Sequence, residues 1–154
     1  MEINICRTFS EAETVDLGRR IGALLKDGSV LALYGDLGAG KTHFVQGIAN
    51  GMGIEECVVS PTFTILNYYE GTIPLQHFDF YRLETAEELE NLGFYDYIQQ
   101  GVTVIEWAEK FPEVLPSHTL NIRIEKESET QRRWEFQFPD QERWERIKEE
   151  VQKP

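Results

Sequence analysis

The segment GDLGAGKT, from Gly35 to Thr42, is the strongest indication of the fold in this sequence. It fits the pattern GxxxxGK[ST], whose glycines let the backbone wrap around a phosphate so that successive N–H groups point inward. An apolar run typical of a fully buried strand, Ser29–Tyr34, precedes it, and a helical stretch to about Met52 follows. A strand, a glycine loop and a helix in this order predict a P-loop, with the phosphate at the positive end of the helix.

The first candidates for nucleotide binding are therefore the loop residues Asp36, Leu37, Gly38, Ala39, Gly40, Lys41, Thr42 and His43. The Lys41 ammonium can bridge the β- and γ-phosphates of ATP, and the Thr42 hydroxyl can be a ligand of Mg²⁺. We expect ATP or ADP and Mg²⁺ as the cofactors, and Lys41 as a catalytic residue.

Such a site also needs a carboxylate for the metal and a group that positions the attacking water. Glu106 directly follows the apolar run Val102–Ile105, where a metal-binding acid is expected if this strand lies beside the P-loop strand. Asp79 lies at the end of another β-rich run. The sequence favours Glu106 as the Mg²⁺ ligand, directly or through water, and places Asp79 either behind the metal ligands or on the attacking water. The two roles could be exchanged.

Three further residues are candidates for a switch or a partner contact. Thr62, in the segment SPTFT, has a hydroxyl that could reach Mg²⁺ or the γ-phosphate. Arg82 follows the Asp79 run and could act on the γ-phosphate or clamp an acidic strand. Trp107 follows Glu106, where an aromatic side chain more often packs a loop than takes part in chemistry. The histidines are too dispersed for a metal cluster, so structural roles are expected for them.

The rest of the chain indicates one α/β domain over residues 1–154. The other predicted strands are Glu2–Phe9, Phe63–Tyr69, Ile73–Tyr81, Val102–Ile105, Thr119–Ile124 and Trp134–Phe138. The other predicted helices are one from a Ser10–Glu13 capping box to Gly28, an acidic piece Glu84–Asn91, and a tail helix Gln141–Val151. This pattern predicts a P-loop NTPase-like three-layer sandwich, a central mixed β-sheet flanked by helices.

Acidic residues outnumber basic ones, 27 to 15, and the excess lies in the middle of the chain. Between His43 and Ile122 there are 12 acidic residues but only two basic ones, Arg82 and Lys110. A nucleic-acid-binding surface needs clustered Lys and Arg to neutralise phosphates. Direct tight binding of RNA or DNA is therefore not expected, and a basic protein partner is favoured.

The sequence predicts neither a membrane segment nor export. No apolar run approaches the roughly 18 to 20 residues that span a bilayer. The N-terminal segment has neither a basic lead nor an apolar signal core, so we expect a cytoplasmic protein. Cys6 and Cys57 have no metal-binding spacing and are expected to be buried free thiols, although the sequence leaves a disulfide open.

These motifs form an ordered set that resembles the bacterial TsaE family, the ATPase of tRNA threonylcarbamoyladenosine biosynthesis. The matching stretches are Ser10, Thr14 and Leu17-Gly18, then GDLGAGKTHF (Gly35–Phe44), SPTF (Ser60–Phe63), HFDFYRL (His77–Leu83), Glu88-Leu89 with Leu92-Gly93, and IEW (Ile105–Trp107). At position 43 the chain has His, where Thr is frequent in the family.

The resemblance implies a nucleotide-binding α/β fold, slow Mg²⁺-dependent ATP hydrolysis and two partner proteins, TsaB and TsaD. TsaD transfers a threonylcarbamoyl group to adenosine 37 of tRNAs that read codons starting with A, and the ATPase would reset the TsaB–TsaD complex without performing the transfer. The segment from Thr8 to Ser10 would lie near the base, and Arg132 or Arg133 would approach the nucleotide. The functionally important family positions correspond to Lys41, Thr42, Asp79, Glu106 and Trp107.

Two other enzyme classes also have a P-loop. A GTPase should carry an NKxD-like base-reading motif, and none follows Glu106. A small-molecule kinase should have several arginines in a lid, whereas Arg82 and Lys110 are the only bases between His43 and Ile122. A third possibility is a nucleotide-gated binding module whose hydrolysis times partner release, which is compatible with a partner-dependent ATPase.

Overall fold

The computed structural model describes residues 1–36 and 39–153. Its strands and helices follow the chain as β1 Glu2–Thr8, α1 Glu11–Gly22, β2 Val30–Tyr34, α2 Lys41–Gly51, β3 Leu66–Tyr69, β4 Leu75–Asp79, α3 Ala86–Asn91, α4 Phe94–Tyr97, β5 Val102–Glu106, β6 Leu120–Lys126, β7 Arg132–Phe138 and α5 Glu145–Gln152. Short 3₁₀ helices lie at Ala108–Lys110, Pro112–Val114 and Glu142–Trp144.

The strands of the described chain form one mixed sheet in the order β1-β7-β6-β2-β5-β4-β3. The inner strands β6, β2, β5 and β4 are parallel, and the outer strands pair antiparallel. The glycine loop therefore leaves the carboxyl end of the middle strand, the edge at which open α/β sheets bind their ligands.

Helices cover both faces of the sheet. Consecutive residues of a central strand point to opposite faces, so each face packs against its own set of helices and forms its own hydrophobic core. Leu31 and Leu33 of β2 pack with α1, α2 and α5, whereas Val30 and Ala32 pack with α3 and α4. The predicted three-layer α/β sandwich with a mixed central sheet is confirmed.

Glycines bring α1 and α2 unusually close together. A Cβ atom at Gly18 or Gly22 of α1, or at Gly47 or Gly51 of α2, would collide with the backbone of the facing helix. Because α2 begins at Lys41, this close contact also sets where the P-loop ends.

The first helix ends earlier than predicted, at Gly22 rather than at Gly28. The next residues form a tight turn in which Leu24 N donates to Ile21 O and Leu25 N to Gly22 O. Gly28 has a φ of 89° and its N–H donates to Gly101 O, so it shapes the turn into β2 instead of closing the helix.

The first strand of the predicted hairpin also begins later, at Leu66 instead of Phe63. Pro61 O accepts hydrogen bonds from Thr64 N and Ile65 N, and this turn takes up the residues predicted as strand. The tail begins with a 3₁₀ turn, and its α-helix starts at Glu145 rather than Gln141.

Both cysteines are free thiols, as expected, but only Cys6 is partly shielded from solvent. Burial raises the pKa of the Cys6 thiol to about 11. The expectation that both are buried is wrong, because Cys6 is only half-buried and Cys57 is exposed.

Candidate functional site

A cleft of about 680 Å³ lies where the P-loop helix begins. Its described lining residues are Ser10, Glu11, Ala12, Thr14, Gly40, Lys41, Thr42, His43, Ser60, Thr62, Asp79, Glu106, Trp107, Glu129, Thr130 and Arg132. It therefore brings together the P-loop, both candidate carboxylates, the SPTF segment and the turn between β6 and β7.

Some predicted site residues are not among the described lining of this cleft: Thr8, Asp36, Ala39 and Arg82. Asp36 is exposed, whereas Ala39 is buried and belongs to the hydrophobic core. The predictions for Leu37 and Gly38 lie outside the described residues.

The P-loop lysine is buried beside the sheet. Its Nζ donates to Gly35 O at 2.8 Å and lies 3.5 Å from Glu106 Oε1. Gly40, with a φ of 105°, is the residue from which α2 starts, a backbone conformation that strongly favours glycine. The positive φ at Gly40 thus allows Lys41 to begin the helix with its side chain turned back across the loop.

Glu106 is held from two sides. Its Oε1 faces Lys41, and its Oε2 lies 2.6 Å from Nε2 of the buried His77. Burial raises the pKa of the Glu106 carboxyl, but the hydrogen bond from His77 and the charge of Lys41 outweigh that effect, so the net shift is downward. Glu106 is therefore a carboxylate at neutral pH, although it is only 5% exposed.

Asp79 lies beside Glu106, because the two residues pair across β4 and β5. Its Oδ1 accepts a hydrogen bond from Tyr81 N at 2.8 Å, which fixes the carboxyl group at the strand end. Trp107 has a φ of 60°, a rare conformation for a bulky residue. Its ring packs at a tilt against the Tyr81 ring, and the ring centre lies 5.7 Å from the Lys41 ammonium.

The predicted base-contact segment performs structural tasks. The Thr8 hydroxyl is buried, accepts from Trp134 Nε1 at 2.9 Å and lies 2.8 Å from the Thr14 hydroxyl. The Ser10 hydroxyl accepts from Glu13 N and caps α1, while the Glu13 carboxylate accepts from Phe9 N. Only Ser10 of the predicted pair lines the cleft.

Arg82 lies away from the cleft, where it supports the loop that carries Thr62. Its guanidinium donates to Phe63 O at 3.2 Å and lies over the Phe63 ring. Ile65 in the same loop has a φ of 69°, and its carbonyl accepts from Asp79 N. The loop is thus connected by backbone to the strand that carries Asp79.

Arg132 is the late arginine that reaches the cleft, whereas its neighbour Arg133 pairs with acidic side chains of β6 and β7. Arg132 Nε donates to Ala39 O at 2.8 Å, so it holds the P-loop backbone. Arg133 pairs with Glu125 and Glu135. Consecutive side chains of a strand point to opposite faces of the sheet, so Arg132 and Arg133 lie on different faces. Once the strand and its buried face are assigned, this alternation predicts which arginine can reach the cleft.

Sequence reasoning missed the contact made by His77, which was expected to be only structural. The β6–β7 turn, with Glu129 and Thr130, was also not predicted at the cleft. Both reach the site only through the order and register of the strands.

The donor set in the cleft fits a magnesium–nucleotide complex. No group of three or more His, Cys, Asp or Glu side chains that could hold a metal occurs among the described residues. Mg²⁺ in nucleotide sites takes most of its ligands from phosphates and water, with one or two from protein oxygens. The Thr42 hydroxyl and the Glu106 carboxylate are oxygens of that kind in the same cleft.

Comparison with known proteins decides the family. The family model of the threonylcarbamoyl adenosine biosynthesis protein TsaE matches residues 8–134, which include the glycine loop and every described lining residue of the cleft. The chain belongs to the TsaE family. Its function therefore lies in the biosynthesis of threonylcarbamoyladenosine in tRNA, and the family together with the glycine loop indicates a nucleotide-binding protein.

Curated TsaE proteins are similar to the chain over most of its length. The tRNA threonylcarbamoyladenosine biosynthesis protein TsaE of Bacillus subtilis strain 168 is 45% identical over 132 residues, which cover 84% of this chain and 82% of that protein. TsaE of Treponema pallidum strain Nichols is 43% identical, over 77% of this chain and 89% of that protein. TsaE of Nostoc sp. strain PCC 7120 is 49% identical, over 72% and 71%.

A solved structure has the same fold. The crystal structure of Bacillus subtilis YdiB superposes with a TM-score of 0.81 at 37% identity, and covers 97% of this chain and 94% of that one.

Within the described residues, the present chain contains no helix that is both long enough and apolar enough to span a membrane.

Proposed function

We propose that this TsaE-family chain binds ATP with Mg²⁺ in the described cleft and hydrolyses it slowly. It would act on the TsaB–TsaD complex, which modifies adenosine 37 of tRNAs reading codons that start with A, and would not itself transfer the threonylcarbamoyl group. The observation that carries the proposal is the distance of 3.5 Å between Lys41 Nζ and Glu106 Oε1, at the point where the glycine loop ends and α2 begins.

Lys41 would exchange its present contacts within the chain for contacts with the phosphates of a bound nucleotide. Its Nζ lies near Gly35 O and Glu106 Oε1, and the γ-phosphate of a nucleotide in the loop would compete for this ammonium. The exchange is favourable because a phosphate oxygen carries more charge than a backbone carbonyl. We therefore assign Lys41 to the β- and γ-phosphates.

The two carboxylates receive different tasks. Glu106 and the Thr42 hydroxyl would hold Mg²⁺, which when bound neutralises charge between the β- and γ-phosphates. Asp79 Oδ1 accepts a hydrogen bond from Tyr81 N, and we assign the other carboxylate oxygen to the attacking water. We place Thr62 at the γ-phosphate side, since it lines the same cleft.

Slow turnover is expected because the cleft offers little positive charge. Among its described lining residues, Lys41 and Arg132 are the permanent cations, and Arg132 Nε is engaged by Ala39 O. Transition-state stabilisation in phosphoryl transfer depends on such cations. A partner that reshapes the cleft would raise the rate.

The exposed side chains around the loop support a protein partner. Phe63, next to Thr62, is 81% exposed, and Val59 and Tyr81 are also largely exposed. Apolar side chains at the mouth of a cleft, in a strongly acidic part of the chain, suit a partner with an apolar centre and a basic rim. We assign the loop of Thr62, with Arg82 and Trp107 beside it, to communication with TsaB–TsaD.

The test is ATP hydrolysis with and without purified TsaB–TsaD, using wild type and Glu106→Ala. We expect TsaB–TsaD to stimulate wild type and Glu106→Ala to abolish the stimulated rate. Glu113→Ala, which removes an exposed acid away from the cleft, is the matched control and should behave as wild type. Turnover that stays equally slow with and without the partners would refute the assigned action on TsaB–TsaD.

A further inference from the structure

His77 lies in the sheet directly behind the two carboxylates. It pairs with Val104 across β4 and β5, one pleat before the pair formed by Asp79 and Glu106. Since side chains two residues apart in a strand share a face, His77 points to the same side of the sheet as both acids. The diagonal step from His77 to Glu106 is short enough for long side chains to touch.

The surroundings of His77 give it no other polar task. It is fully buried, and within the described part of the chain its Nδ1 has no hydrogen-bond partner. The residues before it on the same face and opposite it, Leu75 and Val104, are buried and apolar. An apolar side chain would fill this position without leaving an unpaired polar atom, so packing alone does not account for a histidine here.

The contact with Glu106 determines which carboxylate oxygen faces the cleft. Nε2 lies 2.6 Å from Oε2, and an ionised carboxylate can only accept, so Nε2 donates. The other oxygen, Oε1, is left facing Lys41. His77 thereby fixes the Glu106 side chain from the side opposite the P-loop.

We infer that His77 is a positioning residue that orients Glu106 toward the magnesium–nucleotide complex, and this inference rests on the proposed function. If Lys41 turns to the phosphates, the hydrogen bond from His77 remains to hold the buried carboxylate among the contacts of the described residues. Partners that orient metal-ligating side chains in this way usually contribute about 10- to 100-fold to metal affinity or activity.

Three substitutions separate positioning from packing. His77→Gln keeps an N–H donor at about the reach of Nε2, His77→Asn carries the same amide on a shorter side chain, and His77→Leu fills the space without a donor. ATP affinity is measured by calorimetry in EDTA and in Mg²⁺, together with turnover in the presence of TsaB–TsaD. Circular dichroism and thermal unfolding establish that each variant is folded, and His77→Asn serves if His77→Leu does not fold.

We expect His77→Leu and His77→Asn to leave ATP affinity in EDTA unchanged, to reduce the gain in affinity that Mg²⁺ gives, and to lower turnover about 10- to 100-fold. His77→Gln should recover most of both quantities. In a Glu106→Gln background the same substitutions should have no further effect. A wild-type Mg²⁺ gain in His77→Leu, or equal defects in His77→Gln and His77→Asn, would overturn the inference. If wild type shows no turnover at all, the proposed hydrolysis fails, while the Mg²⁺ comparison still tests His77.

Discussion

At the scale of single residues, the cleft depends on a buried ion pair with a hydrogen-bonded support. Lys41 and Glu106 are each less than a tenth exposed, so neither charge has much water around it. Breaking such a pair leaves an uncompensated buried charge, which costs more than the loss of a surface pair. Substitutions of either residue should therefore change stability as well as activity.

The pH dependence of stability should show the ionised state of Glu106. Its pKa in the folded protein lies below the ordinary value of 4.5, so its contribution is fully present above about that pH and is lost as the pH falls through the folded-state pKa. We expect the difference in unfolding free energy between wild type and Glu106→Gln to be constant near neutrality and to decrease below pH 4.5. Urea unfolding in EDTA across this range measures it. A difference that grows on acidification would contradict the assignment.

Arg132 and Arg133 offer a neighbouring pair with opposite expectations. Arg132→Ala removes the hydrogen bond to Ala39 O, and a hydrogen bond from a charged group contributes about 1.5–3 kcal/mol. We expect ATP affinity to fall roughly tenfold or more, since each 1.4 kcal/mol is a factor of ten. Arg133→Ala, which loses only partly exposed ion pairs with Glu125 and Glu135, should bind ATP as wild type does. Equal losses in both variants would show that the P-loop contact is not the cause.

At the scale of elements, the site is assembled from the ends of neighbouring strands and from one helix start. The register of β4 with β5 places Asp79 beside Glu106, and β2 beside β5 places the P-loop next to both. The helix α2 is in turn seated by its glycine contact with α1. Substitutions that disturb the contact between α1 and α2 should therefore shift the start of α2 and with it the P-loop.

Gly47→Ala tests this contact. Alanine is the better helix former by about 1 kcal/mol, but its Cβ would collide with Val15 O on α1. Overpacking usually costs about 1–3 kcal/mol, and a backbone atom yields less than a side chain, so we expect net destabilisation and weaker ATP binding. Asn50→Ala, on the exposed side of the same helix, should stay within about 0.5 kcal/mol of wild type. Urea unfolding that shows Gly47→Ala to be more stable than wild type would disprove the close contact.

At the scale of the whole molecule, negative charge is concentrated in the middle of the chain. The formal net charge is −12, and most of it comes from the stretch between His43 and Ile122. A surface of this sign repels the phosphates of tRNA and attracts basic proteins, and salt weakens both effects.

Filter binding with unmodified tRNA should therefore show no saturable complex in the micromolar range at 50 mM salt, a condition that favours nonspecific binding. A basic nucleic-acid-binding protein in the same assay is the positive control. Micromolar binding that weakens steeply with added salt would show that the chain has a phosphate-binding surface beyond the nucleotide cleft.

Features that depend on local chemistry could be predicted from the amino-acid sequence alone. The glycine motif needs its residue types in one short stretch, and buried parallel strands have a distinctive apolar composition, so the strand and helix that flank the motif, the central strands and the layered α/β architecture could all be predicted. The acids at the strand ends could be named as candidates for the same reason.

Contacts between residues that are distant in the chain could not be predicted in this way, because they depend on how the strands assemble. The contact of His77 with Glu106, the choice of Arg132 over Arg133 and the position of Arg82 outside the cleft depend on strand order and register. The end of α1 at Gly22 and the late start of β3 depend on local turns. In these turns the backbone N–H groups donate to nearby carbonyls instead of continuing the helix or starting the strand. Local patterns report which face a side chain takes, but the partner across the sheet is set by packing of the whole chain.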